Sequence, residues 1–214
     1  VSGYFITFEG GEGAGKTTQI SLLSQYLRSE GYEVLITREP GGTVGAEILR
    51  SILLSGDAAQ YGSLIEAVLF TAARIDHVFE VIAPSLQEGK VVLCDRFIDS
   101  THVYQGINDQ IDPCTLSVLE YIGTNGIVPN LTFLLDIPAT LGIKRVNLRK
   151  KESNLIDYFE KDGLAIQEQR RKAFLQLAKN ESNRIQVIDA TNSVEMIALQ
   201  IKNICHQLML DRTV

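Results

Sequence analysis

Tyr4-Phe5-Ile6-Thr7-Phe8-Glu9-Gly10-Gly11-Glu12-Gly13-Ala14-Gly15-Lys16-Thr17-Thr18 is the stretch that decides how the rest of the chain folds. A short apolar run, Tyr4 to Phe8, gives way at once to glycines, and a helical spacing of apolar residues runs from Lys16 to Ser29 and is closed by Gly31. Gly10 to Thr17 fits G-x-x-x-x-G-K-[ST] without a mismatch, in the strand-then-helix setting that the motif requires. The glycines let consecutive backbone N–H groups turn inward around phosphate oxygens, and the loop delivers a phosphate to the positive end of a helix dipole. Lys16 adds a point charge at the outer phosphates, and the Thr17 hydroxyl can ligate Mg²⁺. Gly10, Gly11, Glu12, Gly13, Ala14, Gly15, Lys16, Thr17 and Thr18 are therefore expected to hold ATP or a similar triphosphate.

Outward from this loop, short apolar runs alternate with longer stretches of helical spacing. Glu33 to Ile36, Val91 to Cys94, Leu131 to Leu135 and Ile185 to Ile188 join Tyr4 to Phe8 as strand-length segments. Several are apolar almost throughout, as parallel strands covered on both faces are. Val44 to Leu54 closed by Gly56, a long segment from Leu64 to Glu88, and a helix opened by Asp112-Pro113 and ending near Gly123 supply crossovers. From a cap at Ser193, Val194, Ile197, Ile201, Ile204 and Leu208 recur at three- or four-residue steps and predict an amphipathic closing helix. The fold class is α/β with a parallel sheet, expected as one domain over residues 1–214. Arg145 to Asp162 breaks the rhythm; its dense charge reads best as a mobile, solvated loop, and otherwise as the solvated surface of a helix.

Composition narrows the classes further. With 214 residues, 45% hydrophobic and 21% charged positions, collagen-like and disordered chains are excluded and a substantial core is possible. Twenty Lys and Arg against 26 Asp and Glu, net −6, argue against broad affinity for nucleic acid, which rests on clustered cations. Cys94, Cys114 and Cys205 are odd in number, far apart and without a C-x-x-C pair, so they read as buried thiols in a reducing compartment. The first residues show no cationic leader, and no run approaches the length of a membrane helix. A cytoplasmic protein without a membrane or nucleic-acid partner is expected.

Three clusters sit where a second substrate should bind, beyond the carboxyl ends of parallel strands. Arg38-Glu39-Pro40-Gly41-Gly42-Thr43 follows the second strand, and Asp95-Arg96 follows the third. Asp95 suits a metal, a metal-bound water or a helix cap; Arg96 suits a phosphate or a surface ion pair. The third cluster is on the long helix. At about 100° per residue, Leu64, Ile65, Val68, Leu69, Ala72, Ile75, Phe79, Ile82 and Leu86 form one stripe, with Phe70 and Arg74 roughly opposite. An aromatic plane one turn from a guanidinium suits a nucleobase, or simply an internal cation–π pair. Pro84 is expected to bend the helix near its end. No N-K-x-D element marks a guanine-specific switch.

FEGGEGAGKTT, TREPGGT, LFTAAR and DRFIDSTHVYQG, in this order and spacing, resemble the thymidylate kinase family over nearly the whole chain, from Phe5 through Thr191. The resemblance implies the P-loop nucleoside-monophosphate-kinase fold, a five-stranded parallel sheet flanked by helices, a mobile lid near residues 147–162, and a homodimer. It implies phosphoryl transfer from ATP with Mg²⁺ to dTMP, giving dTDP in dTTP biosynthesis. By position, Phe70 would stack on thymine, Arg74 contact the base edge, and Arg96 grip the dTMP phosphate, with Arg38 and Arg50 near the same region. Ser100, Thr101 and Gln105 would line the base pocket, and Tyr104 would fill the space of a ribose 2′-hydroxyl. Glu9 matches an acidic residue near sugar and metal, beside Thr17 and Asp95 as the metal set.

The P-loop carries Glu12 and no arginine, which resembles the bacterial type whose catalytic cation comes from the lid. Asp157-Tyr158-Phe159-Glu160 has tyrosine where the family's D-R-[IL]-E pattern has arginine, so Arg149, with Lys150 and Lys151 beside it, is the expected lid cation. Arg145 is expected toward the adenine. Lys16, Arg96 and Arg149 thus form the expected catalytic set. Another small P-loop kinase, or a non-catalytic nucleotide-binding switch, are the competing readings.

Overall fold

A computed structural model describes residues 3–106, 111–150 and 163–210. Five parallel strands, β1 (Tyr4–Glu9), β2 (Val34–Arg38), β3 (Val91–Asp95), β4 (Leu131–Asp136) and β5 (Ile185–Asp189), lie in the order β2-β3-β1-β4-β5. The central three are buried along nearly their whole length, and the edge strands β2 and β5 are not, which accounts for the more polar residues in β5. Each strand runs one or two residues past its apolar stretch. Glu9, Arg38, Asp95, Asp136 and Asp189 therefore all end strands, and the carboxyl edge of the sheet is lined with charge.

Helices cover both faces. On one side α1 (Lys16–Ser29) and α9 (Val194–Leu210) pack Leu23, Leu27, Ile197 and Ile201 against Ile6, Phe8, Leu93, Phe133 and Ile188. Phe5, Val92 and Cys94 point the other way, toward Val78, Ile82 and Phe97. That second face is covered through α3 (Ser63–His77) and α4 (Ala83–Gln87), with α2 (Val44–Ser55) and α6 (Pro113–Thr124) packed on α3. The caps follow chemistry: Thr43 accepts from the Ala46 amide and Asp112 from the Thr115 amide.

The segment expected as one long helix is two. Between α3 and α4 the backbone widens into a π turn over Val78–Ile82. Pro84 has no N–H to give to the carbonyl four residues earlier and its ring crowds that carbonyl, so the ladder shifts register just before it. The apolar stripe of α3 also faces outward: Leu64, Ile65 and Val68 are more than 40% exposed, whereas Glu66, Thr71, Arg74 and His77 are buried. A helix that buries its polar face does so because the polar groups have partners inside.

Two further expectations change. Ile98–Tyr104 forms a short helix, α5, where no helix was predicted, because its apolar residues are too few to show a period. Arg145 to Lys150, read as a loop or as the solvated surface of a helix, is the end of α7 (Ala139–Lys150), where Lys144 and Arg145 are exposed and Val146 is buried. The remainder of the expected lid, 151–162, and the Arg149 and Lys150 side chains lie outside the described residues. Helix α8 (Leu164–Asn180) follows and is tied to the sheet where Arg171 donates to both carboxylate oxygens of Asp136, at 2.6 and 2.9 Å. Cys94 and Cys205 are buried thiols as expected, but Cys114 is exposed on the first turn of α6. Among the described residues no helix is long and apolar enough to cross a membrane.

Candidate active site

The loop between β1 and α1 turns on left-handed glycines. Gly13 has φ +73° and Gly15, which caps α1, has φ +95°. A Cβ on Gly13 would stand 2.4 Å from the carbonyl oxygen of Gly142 on α7, so glycine is needed there for space as well as for conformation. Lys16 follows, its ammonium directed at the carbonyls of Gly10 and Gly11 at 3.3 and 3.4 Å. Burial and the nearby Arg96 both push the Lys16 pKa down. The Thr17 hydroxyl donates to Asp95 Oδ2 at 3.1 Å, joining the start of α1 to the end of β3.

A cleft of about 310 Å³ opens beside this loop. Glu12 and the run from Gly13 to Thr18 form one wall, and Arg38, Arg50, Phe70, Arg74, Asp95, Arg96, Ser100, Thr101, Tyr104 and Gln105 face it from β2, α2, α3, β3 and α5. Five elements and the P-loop thus bring together residues that lie up to 93 positions apart, because the carboxyl ends of β1, β2 and β3 are neighbours in the sheet. Glu9, Gly10, Gly11 and Arg145 do not line it. Arg145 is exposed on α7, Gly10 is buried and Gly11 is half-buried.

Glu9 is buried under α5. Its Oε1 accepts from the amides of Phe97 and Ser100, and its Oε2 accepts from the Ser100 hydroxyl at 2.6 Å. Burial, with Asp99 nearby, raises its pKa to about 7 despite these donors and Arg96. The carboxylate thereby anchors the turn that presents Arg96. Arg96 itself has φ +68°, a strained conformation for a long side chain. Its guanidinium donates to Glu12 at 2.5 Å and to Ser100 at 3.1 Å. Burial pushes the Glu12 carboxyl up, but Arg96 and Lys16 outweigh that and hold it at about 2.

Arg74 is 3% exposed, with Nε on Glu39 and a terminal nitrogen on the Thr101 hydroxyl at 3.0 Å. Glu39 in turn faces His77 Nδ1 at 3.1 Å, and His77 Nε2 meets the Thr37 hydroxyl at 2.7 Å. The Gln105 amide nitrogen is buried against the cleft and has no hydrogen-bond partner among the described residues. Arg38 and Arg50 are held at the rim, Arg38 by Glu47 and Arg50 by the Pro40 carbonyl.

Glu39 was expected only as a member of the Arg38–Thr43 cluster, with no role of its own, and His77 was not among the expected site residues. Glu39 was visible within TREPGGT, but nothing local shows that it faces Arg74 from 35 residues away. Among the described residues no group of three or more His, Cys, Asp or Glu could hold a metal ion by itself. The Thr17–Asp95 pair does fit Mg²⁺ bound largely through phosphates and water, since that ion usually takes only one or two protein oxygens.

Comparison with known proteins agrees with this geometry. Residues 8–201 match the family model described as "Thymidylate kinase". The chain is 71% identical to a thymidylate kinase of Bartonella quintana (strain Toulouse) over 99% of both chains. It is 68% identical to one of Bartonella henselae, again over 99% of both. The crystal structure of thymidylate kinase from Ehrlichia chaffeensis matches with a TM-score of 0.74 at 33% identity, covering 96% of this chain and 100% of that one.

Proposed function

The chain belongs to the thymidylate kinase family, and we propose that its cleft works with the P-loop as the ATP side and the Arg74–Arg96 wall as the dTMP side. The enzyme is an ATP-dependent nucleotide kinase that converts dTMP to dTDP for dTTP synthesis. One observation carries the division into two sides: the phosphate-binding residues Lys16 and Thr17 and the polar and aromatic groups of Phe70, Arg74 and Gln105 line the same cleft. A donor phosphate on the loop and a base on the opposite wall leave the acceptor phosphate between them.

On the acceptor side, Phe70 stacks on thymine, Arg74 and Gln105 meet its edge, and Ser100 and Thr101 complete the pocket. The fixed Arg74 fork and the unmet Gln105 donor support this reading, since each can give a hydrogen bond to a carbonyl. Arg96 aligns the dTMP phosphate, with Arg38 and Arg50 adding positive potential at the rim. Tyr104 fills the space of a 2′-hydroxyl. The acceptor phosphate is already anionic and needs no general base, so catalysis is positioning and charge. Lys16 neutralises the outer phosphates, and Thr17 and Asp95 would hold Mg²⁺, which would supply further positive charge against the triphosphate. Closure of the lid segment, bringing Arg149, excludes water and adds a cation at the migrating group.

We further read the enzyme as a cytoplasmic homodimer. Support for pairing is the apolar outer surface of the α2–α3–α6 layer, where Ile48, Ile52, Ile65, Val68, Val118 and Ile122 are 40% or more exposed on neighbouring helices. A coupled assay of ADP release with ATP and a panel of nucleoside monophosphates tests the function. Turnover should be highest with dTMP and lost in Lys16→Ala, and a preference for dCMP, for dUMP or for free thymidine would reject the assignment.

A further inference from the structure

Two residues of α8 hold the ring of Tyr104. The guanidinium carbon of Arg170 stands 4.2 Å from the ring centroid, and the Phe174 ring meets it edge-on at 6.4 Å and 71°. Phe174 lies four positions after Arg170, so one face of the helix presents both. Both are buried, Arg170 to 8% exposure and Phe174 to 2%. Toward the cleft the same ring meets Arg96, 5.1 Å from the centroid, and the Tyr104 hydroxyl reaches Glu12 at 3.4 Å.

A guanidinium in this position needs explaining, because burying a charge is costly and an aliphatic side chain would fill the space beside Phe174 as well. What the cation adds is a directional attraction to the π face, strongest where water is excluded. An edge contact alone lets a ring slide; a cation over its face and an aromatic edge together fix both its plane and its depth. We propose that Arg170 is a specificity-determining positioning residue, pinning the Tyr104 ring at the depth from which it refuses a 2′-hydroxyl. The inference rests on the reading of Tyr104 as that barrier. Arg170 acts on the sugar site through the ring it holds. Because Arg96 meets the same ring, the group that aligns the acceptor phosphate and the group that screens its sugar are held by one assembly reaching from the P-loop to α8.

The test compares kcat/KM for dTMP with that for 5-methyluridine 5′-monophosphate, its ribose counterpart. Wild type, Arg170→Met, Arg170→Gln, Arg170→Lys and Tyr104→Ala are measured together, with urea midpoints as the check on folding. The ratio should fall roughly tenfold in the Met and Gln variants, the size of a lost buried cation–π contact. The fall should come mainly from a lower KM for the ribonucleotide, and Arg170→Lys, which restores a cation, should recover much of the ratio. If both neutral variants keep the wild-type ratio while Tyr104→Ala loses it, the role of Arg170 is overturned and that of Tyr104 stands. If Tyr104→Ala also keeps the ratio, the reading of Tyr104 falls and this proposal with it. An equal loss of kcat for both nucleotides at a constant ratio would make Arg170 a packing residue and overturn the proposal as well.

Discussion

Glu39 Oε2 accepts a 2.7 Å hydrogen bond from Nε of Arg74, and the two side chains meet with only 5% and 3% of their surface exposed. The other oxygen of Glu39 faces His77, so one carboxylate orients two nitrogen bases on the same turn of α3. Glu39→Gln leaves the Arg74 charge buried without its counter-ion, at a cost of about 3–5 kcal/mol in the urea-unfolding free energy. It also frees the fork that meets the base. We expect kcat/KM for dTMP to fall roughly 10- to 100-fold, mainly through KM, while KM for ATP holds. Equal changes in both KM values would show that Glu39 supports the fold and not the base site.

A second buried pair lies on the opposite side of α5. Arg184 donates to both oxygens of Asp99 at 2.7 and 2.8 Å, and also to the Thr132 hydroxyl, which is itself paired with Thr7. Asp99 is 1% exposed and raises the pKa of Glu9. Arg184→Met strands a buried carboxylate and should destabilise the protein by about 3–5 kcal/mol. Adding Asp99→Leu should recover part of the loss, because the stranded charge is then gone. Urea midpoints of the two singles and the double give the coupling directly, and strictly additive effects would refute the pairing as a source of stability.

Where the sequence was informative and where it was silent follows from the range of the interactions. The P-loop, the strands and the capped helices are local: a motif, a run or a cap declares itself within a dozen residues, and Gly10 to Thr17 stands where it was expected. The clustering of Phe70, Arg74, Arg96 and Gln105 around one cleft was legible only through motif order. The partners that hold them were not legible at all. Glu39–Arg74, Glu12–Arg96 and Arg170–Tyr104 span 35, 84 and 66 positions, and no spacing rule encodes a contact made by the folding of the sheet. The stripe on α3 misled for a related reason. Periodicity shows that a helix has an apolar face, whereas the partners of its polar face decide which side turns inward.

His102 on α5 and Glu120 on α6 meet at 2.6 Å near the surface. The Glu120 hydrogen bond raises the His102 pKa above 6.5, and the same bond lowers that of Glu120 below 4.5. A raised histidine pKa contributes stability that is fully present below about pH 6.5 and lost as pH climbs through the folded value. The lowered Glu120 value contributes above about pH 4.5 and is lost as pH falls through it. The pair therefore stabilises most between these limits. Urea midpoints of the wild type and His102→Gln should lie furthest apart near pH 5.5 and converge by pH 8.5. Parallel curves over that range would reject the pair.

The P-loop touches α7 through two glycines whose absent side chains are the contact. A Cβ on Gly142 would come 2.4 Å from the Glu12 carbonyl oxygen, and one on Gly13 would come equally close to the carbonyl of Gly142. Backbone on both sides leaves neither able to yield by a rotamer change, so Gly142→Ala must push the loop and α7 apart. The amide cradle formed by Gly11 to Gly15 then loses its shape, and the helix that carries Arg149 moves with it. We expect KM for ATP to rise roughly tenfold or more, with kcat reduced and KM for dTMP changed little, because the acceptor wall is built from α3 and α5. Stability should fall by about 1–3 kcal/mol, as for other overpacked contacts. Gly163→Ala, with nothing among the described residues within 4 Å of the added carbon, serves as the matched control and should leave both KM values in place. An unchanged KM for ATP in Gly142→Ala would mean that the loop is shaped by its own glycines alone and that α7 can recede without consequence for the donor site.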